Sequence, residues 1–328
     1  MQPKVSVIVP VYKAEKYIER CCRSLFNQTL DCIEYIFIND CTPDNSMNIL
    51  QNTAIEYPNR LPYIHIINHK RNTGQSEARR DGMAIATGAY IIHCDADDWV
   101  DIDMYEKMYL KALETGAEAI CCDMMMEYSN FSSTLTYCNK YEDHKLMYDC
   151  IVPISVVYCS MCNRLVSRKL FERENIEPYS GVNMWDDVGL TTRIRFHVKN
   201  SYVISFPYYH YNRENESSTT RRPRLDRINE QIKCAEKLEQ FFINKHSKEK
   251  YKYFITQLKY KAKEDLLDFN YQLWKKTFPE VNNKLWHMRR CISIKQIIKY
   301  FILNYGGLWG YNIFKFYKKK KSKGLNKV

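Results

Sequence analysis

Four short apolar runs, separated by stretches of a different periodicity, set the fold class of the first third of the chain. Each run is rich in β-branched or aromatic residues and predicts a buried strand: residues 5–9, 35–38, 64–67 and 90–94. Between the first two runs, apolar side chains recur three and four positions apart from Ile18 to Phe26, which indicates an amphipathic helix. Strands that alternate with helices favour a mostly parallel sheet with right-handed crossovers. We therefore expect an α/β fold.

Three of the predicted strands are followed by residues suited to ligand binding. Pro10 and Tyr12 follow the first strand, Asp40 the second, and Asp95 and Asp97 the fourth. Ligands of parallel sheets bind outside the carboxyl ends of the strands, so we expect these residues at one nucleotide site. The sequence contains neither G-x-G-x-x-G nor G-x-x-x-x-G-K-[ST]. It therefore predicts neither a dinucleotide-binding fold nor a P-loop.

The densest cluster of charge is the segment Asp95-Ala96-Asp97-Asp98. Like charges this close repel each other unless a cation or another partner neutralises them. On an extended strand, Asp95 and Asp97 project from the same face. Two oxygen ligands there suit Mg²⁺ or Mn²⁺, which leave room for water and phosphate oxygens. The alternative is a solvated acidic turn before the next helix, with Asp98 starting that helix or supporting its neighbours.

Three blocks of sequence resemble glycosyltransferase family 2, the inverting enzymes of the GT-A fold. The blocks are VSVIVPVYKAEKYIERCCRSLFNQTL, EYIFINDCTPDNS and NTGQSEARRDGMAIATGAYIIHCDADDWV, and together the resemblance covers residues 4–126. It implies a mostly parallel nucleotide-binding sheet flanked by helices. It also implies a nucleotide-sugar donor, most often a UDP-sugar, and a role in building bacterial surface polysaccharide.

The resemblance implies roles for individual residues of the nucleotide-sugar half. Pro10 and Tyr12 would form the loop under the nucleobase, and the carboxylate of Asp40 would accept the ring N–H of uracil. Arg79 would lie near the nucleotide, and Asp95 on the ribose side.

The same resemblance places a divalent metal, Mn²⁺ or Mg²⁺, on Asp97 with Asp95 beside it. Such a cation stabilises the negative charge that grows on a departing nucleoside diphosphate. The chain departs from the family pattern at two places nearby. Asn39 stands where an aspartate is usual, and Arg80 stands where an asparagine is usual.

The second half is expected to hold the acceptor machinery. Direct displacement at the anomeric carbon inverts its configuration and needs a base to take the acceptor's hydroxyl proton. The family places this base as the Asp of a Glu-Asp pair, and Asp186-Asp187 fits that position. Asp187 is thus the predicted general base, and capping the next helix is its alternative role. Arg213 resembles a residue after the last strand that can donate two hydrogen bonds to the diphosphate; the alternative is a mobile polar loop.

Periodicity and charge divide the chain into three parts. We expect a GT-A domain over residues 1–222, a helical extension over 223–283 and a basic amphipathic tail over 284–328. The domain comprises a nucleotide-sugar half, residues 1–126, and an acceptor half, residues 127–222. The tail holds twelve of the 49 Lys and Arg residues and no Asp or Glu, so the net charge of +11 belongs to it.

The tail also carries an apolar stripe at helical spacing: Ile294, Ile297, Ile298, Phe301, Ile302 and Tyr305. One interpretation is a helix that lies on an anionic membrane surface, with Lys318 to Lys321 attracted to the lipid headgroups. The other is a helix that packs on the rest of the protein. The stripe is too short and too charged to span a bilayer. Nucleic acid is not an expected partner, because no recognition motif accompanies the basic residues.

The first residues lack the apolar length of a signal peptide, and the thirteen cysteines are scattered and odd in number. We therefore expect reduced thiols and a cytoplasmic protein attached peripherally to the inner face of the cytoplasmic membrane. The expected activity is inverting transfer from a UDP-sugar to a hydroxyl of a glycan or lipid-linked glycan. The alternatives are a catalytically idle GT-A domain serving as a membrane-tethered scaffold, and a nucleotidyltransferase with a related sheet.

Overall fold

The computed structural model describes residues 2–136, 156–215, 224–284 and 294–313. These residues form two compact units: one holds the described residues up to Asn215, and the other those from Arg224 onward. The boundary that we predict at residue 222 lies outside the described residues, as do Lys318 to Lys321.

The first unit is built on a single mixed sheet. Its strands in the described ranges are β1 (Val5–Val11), β2 (Ile33–Asn39), β3 (Ile64–Asn68), β4 (Tyr90–His93), β5 (Trp99–Val100), β6 (Ala119–Tyr128), β7 (Phe131–Leu135), β8 (Arg164–Ser167) and β9 (Ser201–Asn212). Their order across the sheet is β3-β2-β1-β4-β8-β6-β9-β5, with β7 beside β6. From β3 to β4 every pairing is parallel, which confirms the α/β fold predicted for the nucleotide-sugar half. The pairings of β8 with β4 and β6 are antiparallel.

Strand β1 continues past Pro10, although the apolar pattern predicts its end there. The carbonyl of Ile8 accepts a hydrogen bond from the Cys94 amide at 3.0 Å, so the backbone of Ile8 faces β4. Pro10 is two residues further on and faces the same way, beyond the last residue that β4 pairs with β1. The missing N–H of proline therefore costs no ladder hydrogen bond.

The sequence pattern alone predicts only a short strand around residues 202–205, whereas strand β9 extends over Ser201–Asn212. The strand has 12 residues because β6 pairs with it on one side and β5 on the other. Consequently His210, Tyr211 and Asn212 lie within the strand and do not follow it.

Helices cover the sheet of the first unit. They are α1 (Ile18–Phe26), α2 (Ser46–Ile55), α3 (Gln75–Ile85), α4 (Met104–Thr115), α5 (Val156–Cys159), α6 (Arg168–Glu174) and α7 (Asp186–His197). Helix α1 buries the apolar face predicted for it, including Ile18, Leu25 and Phe26. Gly82 of α3 lets that helix approach the sheet closely, because an added Cβ would lie 2.6 Å from the side chain of Ile8.

The second unit is helical, as the composition predicts. Its helices are α8 (Leu225–Asn244), α9 (Lys252–Glu264), α10 (Tyr271–Lys276) and α11 (Ile294–Tyr305), followed by a helical segment over residues 307–313. An aromatic-rich core holds them together around the fully buried Trp274. Lys263 is buried in this core and donates hydrogen bonds to the Thr277 carbonyl and to Asn282.

Helix α11 packs on the rest of the second unit through residues outside the predicted stripe. Tyr300 and Leu303 are buried in the core of the second unit, and the Leu303 carbonyl accepts a hydrogen bond from the Tyr271 hydroxyl at 2.8 Å. Large apolar side chains are exposed on α11, at Ile298, Phe301 and Tyr305, and on the segment after it, at Leu308 and Trp309. We call this set the exposed apolar face. In the part of the chain that the structure describes, no helix has the length and apolar character needed to cross a bilayer.

Candidate active site

The carboxyl ends of β2, β1 and β4 lie side by side, and the residues that follow them meet at this edge. The Asp40 amide donates to the carbonyl of Val11 at 3.1 Å, which fixes the start of the loop after β2 against the end of β1. Pro10 is partly buried in β1, whereas Tyr12 is 44% exposed beyond it. The sheet thus places Pro10, Tyr12, Asp40 and Asp95 along one edge.

Polar side chains lock the loop after β1 onto the loop after β2. The Thr42 hydroxyl accepts from the Lys13 amide at 2.8 Å, and the Ser46 hydroxyl accepts from the Ala14 amide at 3.0 Å. Asp44 accepts in turn from both hydroxyls. These bonds fix the backbone on which Tyr12 is exposed.

Asp40 is 3% exposed and is held by the loop that precedes α3. Its carboxylate accepts hydrogen bonds from the amides of Thr73, at 2.7 Å, and Gly74, at 2.8 Å. The ring Nδ1 of His69 lies 2.9 Å from the same carboxylate. Asp40 therefore orders the loop that starts α3, a role that its sequence context does not reveal.

The first turn of α3 contacts the segment that leads into α7. The Asn183 side chain accepts from the Ser76 amide at 3.1 Å, and Glu77 accepts from the Ser180 hydroxyl at 2.7 Å. Gly74 precedes the helix with a φ of +91°, and an added Cβ there would lie 2.2 Å from the Asn183 side-chain oxygen. Only glycine fits this position without displacing Asn183.

Asp95 and Asp97 follow β4 at this edge and differ in their partners. One oxygen of Asp95 accepts from Arg79 at 2.8 Å and from Gln75 at 3.2 Å. One oxygen of Asp97 accepts from the Asn215 amide group at 2.7 Å. Burial, together with the nearby charge of Asp95, raises the pKa of the Asp97 carboxyl.

The donor set of Asp95 and Asp97 fits a divalent cation. Both are carboxylates, the ligand type that Mg²⁺ and Mn²⁺ prefer. A cation between them would offset the repulsion from Asp95 that adds to the effect of burial in raising the pKa of Asp97. Within the described ranges, no group of three or more His, Cys, Asp or Glu side chains is arranged to share one metal ion.

Asp98 is fully buried and binds residues of β9. Its carboxylate accepts from the Tyr209 hydroxyl and, at 2.7 Å, from the Asn212 amide. It therefore anchors the turn after β4 to β9 and supports its neighbours; it does not start α4, which begins at Met104. Burial, followed by the charges of Asp97 and Asp95, raises the pKa of Asp98 well above its usual range.

Asp186 and Asp187 form the first turn of α7. Arg79, 3% exposed, donates through one guanidinium nitrogen to Asp186 at 2.5 Å and through the other to Asp95 at 2.8 Å. Asp187 accepts from the Val188 amide at 2.7 Å. Burial, and then the charge of Asp186, raises the pKa of Asp187 to about 7 although Arg79 opposes the shift.

Arg213 follows β9, and its amide donates to the Glu127 carbonyl at 2.8 Å. Its guanidinium lies 5.6 Å from the centre of the Tyr211 ring. It is two residues from Asn215, the partner of Asp97. Sequence reasoning missed Gln75, Asn183 and Asn215, because single amide side chains carry no motif.

Comparisons with known proteins agree with this architecture. The family model described as Glycosyl transferase family 2 matches residues 6–174, just over half of the chain. The chain is 30% identical over 219 residues to "Putative glycosyltransferase EpsH" of Bacillus subtilis, a match that covers 64% of this chain and 60% of EpsH. It is 31% identical over 160 residues to the "Putative teichuronic acid biosynthesis glycosyltransferase TuaG" of the same organism, covering 48% of this chain and 60% of TuaG.

A solved structure shares the fold over nearly the whole chain. It is that of S. aureus TarS residues 1–349 in complex with UDP-GlcNAc, with a TM-score of 0.69 and 14% identity, covering 98% of this chain and 92% of that one. At this identity the likeness shows the fold alone. The matches to EpsH and TuaG span about three fifths of each relative's length. The matched family model, which includes the Asp40, Arg79 and Asp95 segments, shows that the chain belongs to glycosyl transferase family 2.

Proposed function

We propose that the protein is an inverting glycosyltransferase that moves a sugar from a UDP-sugar to a hydroxyl of a glycan or lipid-linked glycan. One observation carries this proposal. A single guanidinium, that of Arg79, contacts both Asp95 after β4 and Asp186 at the start of α7. The carboxylates suited to a metal diphosphate and those suited to general-base catalysis therefore lie in one site.

The nucleoside would bind along the edge formed by the loops after β1 and β2. Tyr12 is exposed there on a fixed backbone, so its ring is available to a nucleobase, with Pro10 beneath it. Asp40 holds the neighbouring loop through one hydrogen bond on Oδ2 and several on Oδ1. A carboxylate oxygen has two lone pairs, so Oδ2 retains one for the uracil N–H.

Asp95 and Asp97 would hold Mn²⁺ or Mg²⁺ together with diphosphate oxygens and water. The cation supplies Lewis-acid stabilisation of the departing diphosphate. In this chain, Arg79 and Gln75 fix Asp95, and Asn215 fixes Asp97, so both carboxylates are oriented before the substrate binds. Arg213 directly follows Asn212, the β9 residue whose amide donates to Asp98, and would add a cation on the phosphate side.

Asp187 would act as the general base. The acceptor oxygen forms its bond to the anomeric carbon while the bond from that carbon to the diphosphate oxygen breaks, and Asp187 takes the hydroxyl proton. A pKa of about 7 suits this role, because about half of the groups are ionised at pH 7 and the ionised form is basic enough to accept a proton.

The names of similar proteins support a surface polysaccharide as the product. TuaG is described as acting in teichuronic acid biosynthesis, and TarS was solved with UDP-GlcNAc. The exposed apolar face of the C-terminal unit and the uncompensated lysines that follow it in sequence support attachment to an anionic membrane surface. A membrane-bound enzyme would meet a lipid-linked acceptor at that surface.

A donor-hydrolysis screen tests the proposal. Purified protein is incubated with UDP- and GDP-sugars in the presence of Mn²⁺, Mg²⁺ or EDTA, and released nucleotide is measured. We expect metal-dependent release from at least one UDP-sugar. UDP binding without release from any donor, even with membrane extract as acceptor, would favour the scaffold alternative.

A further inference from the structure

Arg79 is enclosed by protein groups. Its side chain is 3% exposed, and its two terminal nitrogens donate to Asp95 and Asp186. Its Nε is buried and has no hydrogen-bond partner among the described residues. The neighbouring His93 is fully buried, and burial together with the charge of Arg79 lowers its pKa well below the usual range, so it stays neutral. Both terminal nitrogens of Arg79 thus already donate to protein carboxylates.

The two carboxylates that Arg79 contacts belong to distant parts of the chain. Asp95 ends the nucleotide-sugar half of the sheet, whereas Asp186 lies 107 positions from Arg79 and starts α7. Without the guanidinium, Asp186 would be a carboxylate buried to 4% exposure with no compensating cation. A buried charge without a compensating partner is strongly destabilising. Removal of the Arg79 guanidinium would therefore shift the start of α7.

We propose that Arg79 is a positioning residue that does not touch the nucleotide. It holds Asp186, and with it the turn of α7 that carries Asp187, in register with Asp95 across the active site. This inference rests on the proposed function, because it assigns Arg79 a task in that reaction.

Hydrogen bonds of the first turn of α3 also join the same pair of segments. Ser76 and Asn183 are hydrogen-bonded, and Glu77 accepts from Ser180. These hydrogen bonds attach the segment before α7 to α3, but they place no cation next to Asp186 or Asp187. Arg79 both holds this turn through Asp186 and places a positive charge near Asp187.

The charges around Asp187 make the role measurable. Asp186 and Asp95 favour its protonated form, whereas Arg79 favours its ionised form. The base works when ionised, so activity should fall as pH decreases through its pKa. Replacing Arg79 should move this acidic limb to higher pH, and replacing Asp186 should move it to lower pH.

The experiment measures UDP-GlcNAc hydrolysis against pH for the full-length wild type, Arg79→Gln, Asp186→Asn and the double variant, with Mn²⁺ present. We expect Arg79→Gln to lower kcat more than it raises KM and to move the limb up by about one pH unit. Asp186→Asn should move it down, and the double variant should lie between them. Arg79→Lys should return the acidic limb to its wild-type pH while recovering only part of kcat. Lysine keeps the positive charge but lacks the two guanidinium nitrogens that bind two carboxylates at once.

Arg80→Gln is the matched control on the same helix, since Arg80 is 27% exposed and pairs with Glu77. It should leave the limb in place. UDP binding in EDTA is measured by calorimetry, and Arg79→Gln should bind UDP as the wild type does. A loss of about tenfold in the UDP affinity of Arg79→Gln, with the acidic limb of its pH profile unshifted, would overturn the inference and indicate that Arg79 contacts the nucleotide. A wild type that hydrolyses no nucleotide sugar would instead overturn both the inference and the proposed function.

Discussion

Asp95 and Asp97 share one turn but have different electrostatic surroundings. Asp95 is paired with the guanidinium of Arg79, whereas Asp97 accepts from the neutral amide of Asn215. Asp97 is therefore the carboxylate whose charge is left for an added cation, in agreement with its raised pKa. From this difference we expect Asp97 to contribute more than Asp95 to metal binding.

Asp97→Asn should remove most metal-dependent UDP binding and leave the fold intact, because the amide preserves the size of the side chain and can still bond to Asn215. Calorimetry with UDP and Mn²⁺ should show weaker binding, whereas binding in EDTA should not change. Asp31→Asn, at an exposed position, is the control. Wild-type Mn²⁺-dependent affinity in the Asp97 variant would contradict the metal assignment.

Asp187→Asn should lower turnover by about 10²–10⁴, the usual contribution of a general base. UDP affinity should stay near that of the wild type, since Asp187 lies on α7 and not on the loops after β1 and β2. Wild-type activity should fall below about pH 7, where Asp187 gains a proton, and the variant should lose this dependence. Unchanged turnover with the true acceptor would move the base to another residue.

The sequence identifies the residue types of the site better than their partners. Asp40 and Asp95 are recognised in the sequence because they follow apolar runs, and the two strands that precede them end at one edge of the sheet. Arg79 is recognised by its family motif and lies on α3. The burial of Arg79 against Asp186 depends on a contact between residues 107 positions apart, which no local pattern contains. Their individual functional roles remain predictions.

Helix α3 joins the parts of the site at the scale of secondary structure. Asp40 orders the loop before it, Asn183 accepts from its first turn, and Arg79 projects from its second turn toward Asp95. A change at the start of α3 is therefore expected to affect the loop after β2 and the segment before α7 together.

Gly74→Ala should destabilise the protein and reduce activity. The residue has a φ of +91°, and the new Cβ would lie 2.2 Å from the Asn183 oxygen. Strain of this kind costs about 1–3 kcal/mol per residue, to which the collision adds. Thermal unfolding should show a lower Tm.

Gly116→Ala is the control for Gly74→Ala, because Gly116 has a φ of +64° and no atom within 4 Å of the added Cβ. It should cost only the backbone strain. Gly74→Ala combined with Asn183→Ala should recover the part of the loss that comes from the collision. An equal decrease in Tm in the Gly74 and Gly116 variants would show that the contact with Asn183 does not contribute to the destabilisation.

Elements whose form depends on local periodicity were predicted well, and those set by distant pairing were not. Helix α1 carries its own apolar face, and its bounds follow the sequence pattern. Strand β9 reaches 12 residues only because β6 and β5 lie along its two sides. The stripe on α11 was predicted from its spacing, but the burial of Leu303, which is not part of the stripe, depends on the rest of the second unit.

At the scale of the whole molecule, charge and apolar exposure are concentrated toward the C-terminus. The twelve basic residues after Asn283 have no acidic counterparts in that segment. On α11 and the segment after it, Phe301 is 57% exposed and Trp309 is 71% exposed. Aromatic side chains beside lysines are typical of helices that bind at a membrane interface. Deletion of the tail would not test membrane binding alone, because it would also remove Tyr300 and Leu303 from the core of the second unit.

Substitution of the exposed apolar face tests membrane binding without removing core residues. Phe301→Ser with Trp309→Ser should reduce co-sedimentation with phosphatidylglycerol vesicles, because less apolar surface enters the interface. Wild-type binding should weaken with salt, since the Debye length falls from about 10 Å at 0.1 M to about 3 Å at 1 M. Ile55→Ser with Leu113→Ser, at exposed apolar positions of the first unit, should bind as the wild type does. Equal pelleting of all three proteins would show that this face does not contact the membrane.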